Sequence, residues 1–303
     1  MVLEDGDVCN FADDTTLSEH DKDLNVMIYK LEKSADIAIN WFRINYFKLN
    51  TIKCKFIVAG NKDHEVTIRV GDSLIKEQKS VVLLGVKIDN ELKFDEHISK
   101  LVKKANSKLS VIKRGLGMLK NFQKRKVLLN SFVQSQFSYA PLVWMMCSKD
   151  SNKKINKVHY NFLKILYNDY TSTFEQLLDK YCGVTVHERN IQNLLIEMYK
   201  VNKEQGPFLL NEIFKKSNFR TLRKKKDFFR PNINTTKYGE RSLENFGNIM
   251  WNLLPNTIKE LNTLDEFKAE VKKWKPKKCP CYLCKTYLAG VGIVELCDCP
   301  GCQ

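Results

Sequence analysis

The sequence predicts an α+β protein: a small antiparallel sheet with a packed helix, followed by a mostly α-helical remainder. The segments that we predict as strands, several of them rich in β-branched residues, lie before His97. After that point, apolar residues recur at alternating spacings of three and four, which is typical of amphipathic helices. The 303 residues are 43% hydrophobic and 28% charged, a composition that excludes a disordered chain and suits one large or two small domains.

The first elements are a strand pair, a helix and further strands. Residues 8–11 and 15–17 are predicted strands joined by a turn at Ala12-Asp13-Asp14. An apolar stripe then predicts a helix that packs on the sheet; its members are Leu24, Ile28, Leu31, Ala35, Ala38 and Phe42. Further strands are predicted at residues 56–58, 66–70, 73–75 and 81–88.

Helices are predicted for most of the remaining chain. Apolar stripes indicate helices at residues 98–112, 155–166 and 191–201, and another is predicted from Lys124 to about Tyr139, ended by Pro141. Gly206-Pro207 predicts a break, and residues 215–230 form a basic loop or linker. Thr263 and Glu266 fit a capping box for a last helix.

The charge distribution points to a polyanionic partner. The chain carries 50 Lys and Arg against 35 Asp and Glu, a net charge of +15, yet its first 24 residues contain eight acids and one base. From His97 to Lys149 there is no acid and there are eleven bases. Such a single-sign field favours nucleic acid, while the alternative is a solvated helix face. The candidate contacts are Lys100, Lys103, Lys104, Lys108, Lys113, Arg114, Lys120, Lys124, Arg125 and Lys126. Phe122 and Phe132 are predicted to belong to the core.

Membrane and secreted classes are not expected. No apolar run approaches the roughly eighteen residues that span a bilayer, and the acidic N-terminus lacks the basic start of a secretory signal. The ten cysteines are therefore predicted to be thiols or metal ligands rather than disulfides.

The adjacent carboxylates of Asp13 and Asp14 are candidate magnesium ligands. Neighbours on a regular strand point to opposite faces, whereas in a turn they can converge, and cations relieve their mutual repulsion. Mg²⁺ commonly uses one or two carboxylates together with substrate phosphates. The alternative is an Asp-rich surface turn.

Four blocks resemble the reverse transcriptases of jockey-type non-LTR retrotransposons. Phe11-Ala12-Asp13-Asp14 resembles the metal-binding motif, and Trp41 to Cys54, with Leu49-Asn50-x-x-Lys53, resembles the next block. Leu84-Gly85-Val86, followed by His97-Ile98, is similar to the block that forms a primer-gripping hairpin and enters the thumb. Trp251 to Pro255 and the segment from Leu264 to Trp274 match the end of these polyproteins.

The resemblance implies a domain order and a partner. It implies a partial palm at residues 1–95, a basic helical thumb at 96–172, a helical C-terminal region at 173–278 and a cysteine-rich tail at 279–303. The reaction would be RNA-directed DNA synthesis with two Mg²⁺ ions, on an RNA template and with an RNA–DNA or DNA duplex. The implied location is the nucleus, with a cytoplasmic stage.

The resemblance also implies roles for single residues. Asp13 would be the magnesium ligand, Asp14 its supporting neighbour, and Phe11 an aromatic near the primer end. Lys53 would act as a proton donor towards pyrophosphate, or is simply exposed. Gly85 would allow close approach of the primer strand, or marks an ordinary bulge.

One departure from the family bears on activity. In the family, an aspartate on an upstream strand completes the two-metal site, and only twelve residues precede Asp13 here. We therefore expect a fragment that does not polymerise DNA by itself. The alternative is a non-enzymatic nucleic-acid-binding protein with a zinc-binding cysteine tail.

Six of the ten cysteines fall in the last 25 residues, as two C-x-C-x-x-C trios. Their inner pairs predict a zinc site; its ligands would be Cys281, Cys284, Cys299 and Cys302. An unstructured reduced tail and an accidental spacing are the alternatives. Cys9, Cys54, Cys147 and Cys182 are predicted to pack as small hydrophobes, and the five histidines form no spaced pair that suggests ligands.

Overall fold

A computed structural model describes most of the chain, and its contacts divide the protein into two units, Met1–Leu92 and Lys93–Gln303. The described residues are 6–60, 65–115, 120–181, 183–215, 228, 231–233, 235, 238–275, 281 and 283. The described elements comprise helices and three two-stranded antiparallel sheets, so the α+β class is confirmed. No helix in the described part of the chain is both long and apolar enough to cross a membrane.

The first unit contains three β-hairpins and one long helix. The hairpins are β1 (Asp7–Phe11) with β2 (Asp14–Ser18), β3 (Thr67–Val70) with β4 (Ser73–Lys76), and β5 (Ser80–Leu83) with β6 (Val86–Asp89). The helix α1 (Leu24–Ile44) follows the first hairpin. Asp23 caps α1, since its carboxylate accepts from the backbone N–H groups of Asn25 and Val26 at 2.8 and 3.3 Å.

The core of the first unit lies between α1 and the second hairpin. Along β3, buried side chains alternate with exposed ones, as in a half-buried strand. The buried side chains of this core come from α1, from β3 and from the segment before β3. They are Ala35, Phe56, Val58, Val66, Ile68 and Val70, and Leu17 of β2 packs against them. The stripe predicted for α1 is confirmed, because Leu24, Ile28, Leu31 and Ala35 all belong to this cluster.

Two strand predictions in this unit are wrong. Residues 56–58 form no strand, and Phe56 makes only an isolated bridge with Glu77. Residues 81–88 are not one strand but the hairpin of β5 and β6, which turns at Leu84 and Gly85 with φ values of 45° and 83°. Left-handed backbone is uncommon for a bulky residue such as Leu84, so the apolar sequence did not indicate a turn there.

The regular elements in the described part of the second unit are helices. Its helices are α2 (Asp95–Arg114), α3 (Phe122–Phe132), α4 (Pro141–Trp144), α5 (Lys149–Tyr167), α6 (Phe174–Lys180), α7 (Val186–Asn202), α8 (Phe208–Ile213), α9 (Leu243–Leu253), α10 (Asn256–Lys259) and α11 (Leu264–Lys273). Helix α2 packs against α5 and α3, and α7 packs against α9 and α11. The capping box at Thr263 and Glu266 is confirmed.

Helix α7 is central to the larger core. Its residues Ile191, Leu194 and Met198 are fully buried, and Tyr199 stacks on Phe267 of α11 with ring centroids 4.2 Å apart. The hydroxyl of Tyr199 donates to the carbonyl of Leu261 at 2.9 Å, which satisfies the buried polar atom. These contacts hold α11 along α7.

The single helix predicted from Lys124 to Tyr139 is wrong. Helix α3 ends at Phe132, a 3₁₀ turn follows over Gln134–Phe137, and Ala140 has left-handed backbone. Pro141 does not end a helix but begins α4. In the first turn of a helix the backbone N–H has no intrahelical acceptor, so proline loses no hydrogen bond there. The basic linker at 215–230 lies outside the described residues except for Lys215 and Phe228.

Candidate nucleic-acid interface and metal site

The predicted metal motif lies at the tip of the first hairpin. Phe11 and Asp14 are a cross-strand pair, and Ala12 and Asp13 form the two-residue turn between them. Ala12 has a φ of 53°, and the hydroxyl of Thr15 donates to Asn10 Oδ1 at 2.9 Å across the strands. The sequence therefore builds the tight turn that the adjacent carboxylates require.

The hairpin presents the motif on its outer face. Leu17 packs into the core, and strand residues an odd number of positions apart point to opposite faces, so Asp14 points away from the core. Its partner Phe11 is 65% exposed, and Asp13 is also exposed. Within the described residues, neither aspartate has an ion-pair partner. No three His, Cys, Asp or Glu side chains of the described residues come together to hold a metal ion. The site thus offers two exposed carboxylates.

The two other family-implied residues of the first unit occupy turns. Lys53 is exposed at the end of a 3₁₀ turn, Thr51–Lys53, and no described contact joins it to Asp13 or Asp14. Gly85 lies in the β5–β6 turn, where its φ of 83° favours glycine, rather than in a strand bulge. The turn conformation alone therefore accounts for a glycine at position 85.

The predicted basic residues line α2 and α3. The buried face of α2 comprises His97, Ile98, Ala105 and Leu109. The exposed basic residues of the stretch are Lys100, Lys103, Lys104, Lys113, Arg114, Lys120, Lys124 and Lys126, and Lys108 is half-buried. Arg125 differs from them: it is half-buried, and its guanidinium donates to the carbonyl of Ile165 at 3.4 Å.

The positive charge of this surface is not neutralised locally. No ion pair in the described part of the chain involves the α2 bases Lys100, Lys103 and Lys104. The pKa of His97 is lowered by burial and, secondly, by the positive charges of Lys100 and Lys104. The helix dipole accounts for Lys113 and Arg114, which lie in the last turn, but not for Lys100, which lies beyond the first turn.

The aromatic prediction for this region is wrong. Phe122 is 37% exposed and Phe132 is 49% exposed, so neither is a core residue. Phe122 packs at the start of α3 against Tyr167, with ring centroids 5.8 Å apart. The apolar residues that fill this part of the core are instead Leu129, Val133 and Phe137.

Helix α5 adds basic residues that are not among the predicted contacts. Lys149, Lys154 and Lys157 are exposed, and no ion pair of theirs occurs among the described residues, whereas Lys153 pairs with Asp150 at 3.6 Å. The available signal was the helical stripe itself, since lysines fill the polar positions between Ile155, Val158 and Phe162. Because α5 packs against α2, both helices belong to one basic unit.

The cysteines separate into buried and exposed groups. Cys147 is buried as predicted, but Cys9 is exposed and Cys54 only half-buried, so the prediction is wrong for Cys9. Cys281 is buried beside His187, a contact that sequence spacing did not reveal because 94 residues separate the two. Cys182, Cys284, Cys299 and Cys302 lie outside the described residues.

Comparison of the chain with protein-family models, curated proteins and solved structures finds no match.

Proposed function

We propose that this chain is the C-terminal part of a non-LTR-type reverse transcriptase, and that it holds a primer–template duplex through the phosphates. The observation that carries the proposal is the row of exposed α2 lysines, Lys100, Lys103 and Lys104, which have no acidic partner among the described residues. Lysines that contact phosphates release counterions, and binding of this kind is independent of sequence.

We also propose that the first hairpin, β1 with β2, binds Mg²⁺. Asp13 and Asp14 are exposed at a tight turn beside the aromatic Phe11, an arrangement open to Mg²⁺ and to nucleotide phosphates. Two-metal nucleotidyl transfer requires cations about 3.5–4 Å apart, each with its own ligands. Within the described residues, no third carboxylate joins the pair. We further propose that this chain binds duplex without extending a primer.

The binding proposal is tested by titrating an RNA–DNA hybrid with the full chain at several salt concentrations. Exchanging Lys100, Lys103 and Lys104 for Gln should weaken binding and reduce the slope of log K against log[salt] by up to about 3, roughly 1 for each phosphate that a lysine no longer neutralises. The matched control exchanges Lys268, Lys272 and Lys273 of α11, which removes the same charge from a helix where Lys268 and Lys273 are ion-paired. Equal effects of both triple variants would contradict the proposal.

The metal proposal needs a separate test. Fe²⁺ in place of Mg²⁺, with a reductant and peroxide, generates hydroxyl radicals that cleave the nearby backbone. Cleavage near residues 13–14 is expected in the wild-type chain and should disappear in the Asp13→Asn/Asp14→Asn variant.

A non-enzymatic nucleic-acid-binding protein is the second candidate, favoured by the exposed lysines of α2, which can contact phosphates without a metal site. It predicts duplex binding without cleavage at the hairpin. Primer extension gives an independent check, because robust incorporation of dNTPs would contradict our inference that the chain is inactive alone.

A further inference from the structure

Four aromatic residues of the second unit lie at one end of the packed helices α2, α3 and α5. Phe122 begins α3 and Tyr167 ends α5, and their ring centroids are 5.8 Å apart. Tyr167 also stacks on Tyr181, which directly follows α6, with ring centroids 3.5 Å apart and planes 1° from parallel. Tyr170 lies in the loop between α5 and α6. These four side chains are called the aromatic cluster below.

Solvent reaches every member of the aromatic cluster. Tyr170 is 47% exposed and Phe122 is 37% exposed, whereas Tyr167 and Tyr181 are half-buried. Rings that only fill a core are buried, as Phe137 of the same unit is. Single exposed apolar residues are normal on a protein surface, but neighbouring exposed rings indicate a binding surface. Core packing alone therefore does not explain the aromatic cluster.

The aromatic cluster adjoins the basic surface of α2. Lys113 lies in the last turn of α2, and its Nζ is 5.9 Å from the ring centroid of Tyr170, within the range of a cation–π contact. Lys113 and Arg114 are exposed, and neither has an ion-pair partner among the described residues. The nearby carboxylate of Asp169 is ion-paired with Lys180 at 3.1 Å. Exposed rings and cations without acidic partners thus lie side by side.

We propose that the aromatic cluster binds the unpaired nucleobases of a single strand that extends from a duplex, an inference that rests on the proposed duplex binding by α2. Nucleobases stack on aromatic rings while cations contact the phosphates, and this binding tolerates any sequence because every nucleobase has a π-face. Within a duplex the nucleobases stack on one another, so their faces are not available to protein rings. The preferred ligand is therefore a duplex with a single-stranded extension rather than a blunt duplex.

The experiment compares binding of the full chain to three RNA–DNA hybrids with the same duplex part. One hybrid is blunt, one carries a single-stranded extension of about six adenylates, within the usual size of a single-strand site, and one carries an abasic extension of equal length. The abasic extension keeps the phosphates and lacks the nucleobases, so the ratio of the two affinities measures stacking alone. Extensions at the 5′ and 3′ ends are titrated separately.

We expect the adenylate extension to bind at least about 5-fold more tightly than the abasic extension at one of the two ends, which corresponds to stacking of one nucleobase. This ratio should change little with salt, because both extensions carry the same number of phosphates.

Two variants test the rings themselves. Phe122→Leu and Tyr170→Leu each remove one ring and keep an apolar side chain, so each should reduce the ratio of the two affinities. Both should bind the blunt hybrid like the wild type, which also reports that the chain is folded. The matched control is Phe132→Leu, which removes a 49% exposed ring from the other end of α3 and should keep the wild-type ratio.

A fluorescent nucleobase in the extension gives a readout that needs no variant. 2-Aminopurine in place of one adenine should lose fluorescence when the wild-type chain binds, because stacking on a ring quenches it. Equal affinity for the adenylate and abasic extensions, with the blunt hybrid still bound, would overturn this inference alone, as expected if a protein segment covers the aromatic cluster instead. Failure to bind any of the three hybrids would overturn the duplex proposal as well.

Discussion

At the scale of single residues, burial controls the chemistry of the cysteines. Cys147 is 1% exposed, and burial, with a smaller contribution from the negative charge of Asp95, raises the pKa of its thiol to about 12. Only the thiolate is a good nucleophile, so Cys147 is inert near neutral pH, whereas Cys9 is exposed on β1.

Alkylation should therefore distinguish these two cysteines. We expect iodoacetamide at pH 8 to label Cys9 in the native protein and to leave Cys147 unmodified until denaturant is added. Position-resolved mass spectrometry measures both sites in one sample. Rapid native labelling of Cys147 would contradict the buried position.

Protonation of His159 should make stability depend on pH. Burial, and secondly the positive charge of Arg189, lowers the pKa of His159 to about 3. In the unfolded chain, His159 has the ordinary histidine pKa of about 6.5. Between pH 6.5 and pH 3, the unfolded chain therefore binds a proton at His159 that the folded chain does not bind. The stabilising effect of the neutral ring is therefore complete above about pH 6.5 and is lost as the pH falls towards 3.

The corresponding measurement is urea unfolding at pH 7, 6 and 5. One such proton lowers the free energy of unfolding by up to about 1.4 kcal/mol per pH unit. His159→Gln should reduce this slope, whereas the control His20→Gln, at an exposed position, should leave it unchanged. Parallel pH profiles for wild type and His159→Gln would contradict the assignment.

At the scale of elements, the start of α7 depends on one hydroxyl group. Thr185 Oγ1 accepts from the backbone N–H of Glu188 at 3.1 Å, and the Glu188 carboxylate accepts from the N–H of Thr185 at 2.7 Å. Thr185→Ala should lower the free energy of unfolding by about 1 kcal/mol, the usual cost of losing such a cap. Thr185→Ser retains the hydroxyl and should lose less than half of that, measured by urea unfolding. An unchanged midpoint for Thr185→Ala would contradict the role of the cap.

Elements with a strong local signal were predictable from sequence. The stripes of α1, α2, α5 and α7 follow helical spacing because one face of each is buried. The first hairpin was predictable because an acidic turn precedes the β-branched pair Thr15-Thr16 of the returning strand. At the candidate sites, exposed lysines on α2 follow from the same periodicity, since positions opposite the buried stripe must face solvent.

Features that depend on tertiary context were not predictable. The β5–β6 turn uses left-handed backbone at Leu84, which no residue preference indicates. The contact between His187 and Cys281 joins residues 94 positions apart, and nothing in the spacing around His187 indicates a cysteine partner. Cys9 is exposed because β1 pairs only with β2 within the described residues, which composition cannot reveal.

At the scale of the whole molecule, the two units differ in charge. Residues 1–92 contain 12 Lys and Arg against 16 Asp and Glu, whereas residues 93–303 contain 38 against 19. The first unit is thus net −4 and the second net +19. A duplex polyanion should be held almost entirely by the second unit, with the acidic first unit opposing binding unless divalent cations neutralise it.

The two units should therefore differ in their affinity for a nucleic-acid duplex. Each has its own buried cluster, so we expect fragments 1–92 and 93–303 to be folded by circular dichroism. Fragment 93–303 should bind an RNA–DNA hybrid at least as tightly as the full chain, with the same salt slope, and fragment 1–92 should not bind it without Mg²⁺. Because the full chain carries the repulsion of the first unit, removing residues 1–92 should increase affinity most at low salt, where screening is weakest. Weaker binding by a folded 93–303 fragment at low salt would instead assign net favourable duplex contacts to the first unit.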